Sequence, residues 1–166
     1  MEWLKEYGSS LGFAATLISA GGAAWFASSA IRTQRELAKK RTTLDFFLRT
    51  ETDGRTLDLW KSYNTALSLL AEMPLAQFKT SHREEYEDIK NYLNVFELLA
   101  CGLKSGALDE EIAKSFFWNA IVHGYTATRE LLEEEAKLPD NEEYCCDFIS
   151  LAKQWKCERD RSRKTR

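Results

Sequence analysis

The sequence predicts an all-α protein: an N-terminal single transmembrane helix followed by a cytoplasmic helical bundle of about four to five helices. Three observations carry this expectation. Residues 8–31 contain no charged side chain, and a cluster of basic residues follows at once. The remaining segments repeat their apolar residues at helical spacing, and none alternates with the period of two that a half-buried strand requires. Only two prolines interrupt 166 residues.

The first element is the expected membrane span. A helix over residues 8–31 would reach roughly 36 Å at about 1.5 Å per residue, against a hydrocarbon core of about 30 Å. Its large apolar residues are Leu11, Phe13, Leu17, Ile18, Trp25, Phe26 and Ile31, diluted by Gly, Ala, Ser and Thr. A cleaved signal peptide fits less well, because Lys5 is offset by Glu2 and Glu6 and leaves no basic leader. Gly8 and Gly12 form a GxxxG, and Ala15, Ser19, Ala23 and Ala27 follow at every fourth position. Such a strip of small residues lets two helix backbones approach closely, so it points to self-association and a homo-oligomer. Arg32, Arg35, Lys39, Lys40 and Arg41 against Glu36 give the next ten residues a charge of +4. By the positive-inside rule the N-terminus would lie outside and the rest of the chain in the cytoplasm of a bacterial cell, held at the inner membrane. Those five basic residues are then the expected contacts to anionic lipid.

The division that follows is a short extracytoplasmic N-terminus (1–7), the span (8–31), a basic helical stalk (32–52), a bundle domain (53–157) and a basic tail (158–166). Leu37, Leu44 and Leu48 fall on one face of the stalk, which Asp53-Gly54 ends. A second helix is expected from Arg55 to Met73, with Leu57, Trp60, Leu67 and Leu70 apolar and Pro74 as its stop. Ser81 followed by Glu84 has the form of a capping box and predicts a third helix running to Gly102. Asp109 is placed to cap a fourth, with Glu110 and Glu111 near the positive end of its dipole. After Pro139-Asp140, the spacing of Tyr144, Phe148, Leu151 and Trp155 predicts a fifth helix with one buried stripe.

The segments TTLDFFLRTETD and NYLNVFELLACGLKSGALDEE resemble the bacterial family of unknown function DUF4760. The resemblance spans most of the bundle. It implies a short, membrane-anchored helical protein and transfers no catalytic residue and no cofactor.

Charge narrows the function. Residues 42–152 carry −11 between two basic ends, whereas a nucleic-acid binder needs its basic surface on the folded domain, so a nucleic-acid partner is not expected. Cys101, Cys145, Cys146 and Cys157 contain no CxxC pair, and neither His82 nor His123 stands at ligand spacing from them. The expectation is therefore no metal, and reduced thiols in the cytoplasm. Asn94 and Glu97 lie on one strip of an otherwise apolar helix. They are expected to form a buried polar clamp, since a carboxylate inside a bundle needs donors to offset its desolvation. The leading functional expectation is a membrane-anchored docking or regulatory module with membrane lipid, a second copy and an unidentified protein as partners. Two alternatives are an oligomerising membrane effector of phage defence or exclusion, and an enzyme with a site around Glu97 and His123.

Overall fold

The computed structural model describes the backbone of residues 2–164 and the side chains of residues 25–161. Six helices and no strand make up the described residues: α1 (Glu2–Thr52), α2 (Gly54–Leu70), α3 (Leu75–Ser81), α4 (Arg83–Lys104), α5 (Glu110–Glu135) and α6 (Cys146–Lys164). The chain divides into two compact units, residues 1–38 and residues 39–166, the second holding the last turns of α1 and the five shorter helices.

The expected transmembrane helix is not supported. Among the described residues no helix is long and apolar enough to cross a membrane. Residues 8–31 do belong to one helix, but their length comes largely from Gly, Ala, Ser and Thr. Such residues extend a helix while contributing far less transfer free energy than Leu, Ile or Phe. Of the small residues expected to pair two spans, Gly8, Gly12, Ala15, Ser19 and Ala23 lie outside the residues whose side chains are described, and Ala27 is exposed.

The second unit is built around α4. Its Tyr86, Ile89, Leu93, Phe96, Leu99 and Ala100 recur at three and four residues and are all buried, so α4 packs against α2 on one side and α6 on another, with α3 across its start. α5 lies against α6. Phe96 is central: its ring stacks on Phe148 of α6 at 5.2 Å and meets the Tyr63 ring of α2 edge-on at 6.0 Å. Of the expected stripe Phe148 and Trp155 are fully buried, joined by Ala152, whereas Leu151 is half-buried and Tyr144, also half-buried, lies before α6. α5 comes close at Gly124, where a Cβ would stand 2.9 Å from both the Phe96 ring and the Tyr63 hydroxyl.

Local signals explain most helix ends. Asp53 caps α2, its carboxylate accepting from the Thr56 amide at 3.1 Å, and Asp109 caps α5 through the Ile112 amide at 3.0 Å. The Asp109 amide in turn donates to the Thr43 hydroxyl at 2.7 Å, which ties the end of α1 to the start of α5. Gly106 adopts φ 72 after α4, a left-handed turn that glycine enters without a Cβ penalty. One expectation fails: Ser81 does not open a capping box. It ends α3, and its hydroxyl donates back to the Gln77 carbonyl at 2.6 Å, while the adjoining α4 starts after His82 without a side-chain cap. α2 ends at Leu70, and the extra short helix begins after Pro74, which stands at its N-cap in an extended conformation with φ −60 and ψ 145.

Candidate functional site

The polar chemistry of the second unit gathers where the C-terminal half of α4 meets the start of α6. The first amides of α6 need acceptors. Residue Cys145, just before it, has no oxygen to offer and sits in the left-handed region at φ 52. Glu97 reaches across from α4 in its place, accepting from the Asp147 amide at 3.3 Å and from the Phe148 amide at 2.7 Å. A carboxylate at a helix N-terminus is favoured by those donors and by the helix dipole.

One turn along α4 from Glu97, the Cys101 thiol donates to the Asp147 carboxylate at 3.3 Å and stands 4.0 Å from Glu97 Oε1. The Cys146 sulfur is 3.9 Å from the other Asp147 oxygen, which also takes the Lys104 ammonium at 2.5 Å. Glu97, Cys146 and Asp147 thus hold one ligand atom each within 4.8 Å of one another, the set of described residues able to hold a metal. Partial desolvation, the hydrogen bond to Asp147 and the charge of Glu97 push the Cys101 thiol above its ordinary range. The Lys104 and Cys101 donors hold the Asp147 carboxyl below the usual carboxylate range. Burial, then the Glu97 charge, raise the Cys145 thiol to about 12, so it is an inert neutral group. Beside the cluster is an open cleft of about 290 Å³, lined among others by Lys104, Glu110, Asp147, Ser150 and Gln154.

Two further polar assemblies are structural. Glu135, at the end of α5, is buried and accepts from the Tyr86 hydroxyl at 2.6 Å, with Lys90 at 3.3 Å and Lys79 at 3.7 Å. Burial alone would raise its pKa, but the Tyr86 hydrogen bond and the two lysines outweigh burial and hold it low. At the other end of the bundle Lys114 bridges Glu110 at 2.9 Å and Glu158 at 2.8 Å, while the Trp155 indole donates to Glu110 at 3.2 Å.

The sequence-derived residues fare differently. Glu97 is half-buried and clamps α4 to α6, but Asn94 is exposed and takes no part. His123 is exposed on α5 and lines another cleft with Asn64, Leu67 and Ser68 of α2, so Glu97 and His123 stand at different helix junctions. Arg32, Arg35, Lys40 and Arg41 are exposed and Lys39 is half-buried. Cys157 is exposed on α6, and neither it nor a histidine joins the donor cluster. Sequence reasoning missed Cys101, Lys104 and Asp147 as a group, and Glu135 altogether. Cys101 was visible only as the next turn after Glu97, and nothing marked its meeting with residues some 45 positions away.

The fold and this junction define a small all-helical module held by carboxylates that reach between helices. Residues 15–155 match the family model described as a domain of unknown function, DUF4760, and the chain belongs to that family. No curated protein and no solved structure matches the chain.

Proposed function

We propose that the protein is a helical docking module that self-associates through α1. The observation that carries this reading is where its exposed large apolar side chains lie. In the first unit Trp25, Phe26, Ile31 and Leu37 are each at least half exposed, and in the second the α1 residues Leu44 and Leu48 are 42% and 53% exposed. The helices α2 to α6 hide nearly all of theirs in the core, with Leu98 and Phe116 the main exceptions. A helix of 51 residues is several times the ordinary globular length, and a helix of such extent commonly finds its partner in coiled-coil pairing. A second copy brings an identical helix with the same apolar residues to cover, which a two-fold interface satisfies at once.

The measurement is the mass in solution of the full chain by light scattering, with and without the pair Leu44→Glu and Leu48→Glu. The wild type is expected to run as a dimer or larger and the double variant as a lighter species with unchanged helicity. A wild type that stays monomeric at micromolar concentration overturns the reading.

A further inference from the structure

We propose that Glu97, Cys101, Cys146 and Asp147 form a binding site for one thiophilic divalent cation of the zinc and cadmium class, joining α4 to α6. The argument begins with donor chemistry. Two sulfurs and two carboxylates converge from two helices. Thiolate with carboxylate suits a borderline-soft tetrahedral ion, whereas calcium and magnesium require oxygen throughout.

Geometry agrees. For metal–sulfur bonds of about 2.3 Å and metal–oxygen bonds of about 2.0–2.2 Å, the edges of a tetrahedron of donors are roughly 3.3–3.8 Å. Glu97, Cys146 and Asp147 each place one donor atom within 4.8 Å of the others, and Cys101 Sγ stands 3.3 Å from Asp147 Oδ2 and 4.0 Å from Glu97 Oε1. Closing the set takes rotation of the Cys101 and Cys146 side chains, both of which are exposed.

The surroundings orient the ligands as outer partners of a metal site do. The two α6 amides fix the Glu97 carboxylate and leave lone pairs on Oε1, whose own contact is the longer one. Lys104 holds Asp147 Oδ1, which turns Oδ2 toward Cys101. Binding is balanced by the loss of one proton from each thiol. The loaded site, a dication with two thiolates and two carboxylates, carries a net −2. That charge faces the positive end of the α6 dipole and the Lys104 ammonium, the environment an anionic complex needs.

Reduced, metal-stripped full-length protein titrated with cobalt(II) tests the site. One equivalent is expected to give an intense thiolate-to-cobalt charge-transfer band and tetrahedral visible bands, both removed by zinc and by Cys101→Ser with Cys146→Ser. Glu97→Gln is expected to weaken binding by at least tenfold, and Cys157→Ser, on a thiol outside the cluster, to leave it unchanged. Circular dichroism of each variant checks that its helices persist. Wild-type protein that gives no charge-transfer band overturns the site. So does a band that survives the Cys101 and Cys146 changes, or one that requires Cys157. None of these outcomes depends on the oligomeric state.

Discussion

Glu135 and Gly124 show how single residues govern this protein. The buried Glu135 carboxylate is held ionised by Tyr86, Lys90 and Lys79, with a pKa below its ordinary value. A group whose pKa is depressed in the folded state stabilises the fold above its unfolded pKa, and that contribution is lost as pH falls through the folded value. Thermal stability is therefore expected to drop as the pH falls below about 4.5, the unperturbed carboxyl value, and more steeply than in Glu135→Gln. A series of thermal melts between neutral and acid pH checks this. Glu135→Ala leaves the Tyr86 hydroxyl and two lysines facing an empty site, and breaking such a buried pair costs about 3 kcal/mol by denaturant titration. At Gly124 the opposite error is predicted. An added methyl group meets Phe96 and Tyr63 at 2.9 Å, so Gly124→Ala should destabilise by about 1–3 kcal/mol, measured in the same way.

At the scale of the element, the ends of helices matter most. The start of α5 depends on Asp109, which caps the Ile112 amide and whose own amide is received by Thr43. Asp109→Ala is expected to cost about 1 kcal/mol. Thr43 is fully buried, and Thr43→Val strands the Asp109 amide, at about 1–3 kcal/mol. The start of α6 depends on Glu97 alone among side chains of α4 that accept from it. Glu97→Ala should raise amide hydrogen exchange at Asp147 and Phe148 by about tenfold or more, while the α5 amides change little, a contrast that mass-spectrometric exchange resolves.

Taken whole, the second unit is a core of aromatic rings bound by carboxylate clamps at its periphery, and the first is the greater part of one long helix with exposed apolar side chains. The whole-molecule prediction is the change in solution mass on Leu44→Glu with Leu48→Glu, since replacing exposed apolar groups by charge removes an interface without disturbing the core. Melting temperature should accordingly depend on protein concentration in the wild type and not in the double variant.

Much of this architecture could be read along the chain. The spacing of Tyr144, Phe148, Leu151 and Trp155, the caps at Asp53 and Asp109, and the unbroken helix through residues 32–52 are local properties: they follow from the 3.6-residue period and from side chains that bond their own backbone a few positions away. Two local signals misled. An uncharged run with the length of a membrane span was the first, although among the described residues no helix is long and apolar enough to cross a membrane, and a serine three residues before a glutamate bonded backwards instead of opening a helix. Only tertiary structure decided that Cys101 meets Asp147, that Tyr86 and two lysines converge on Glu135, and that Asn94 stays outside the clamp. Those encounters join residues about 50 positions apart, and no periodicity records them. They are set by the angle at which packed helices cross, which depends on every side chain between them at once.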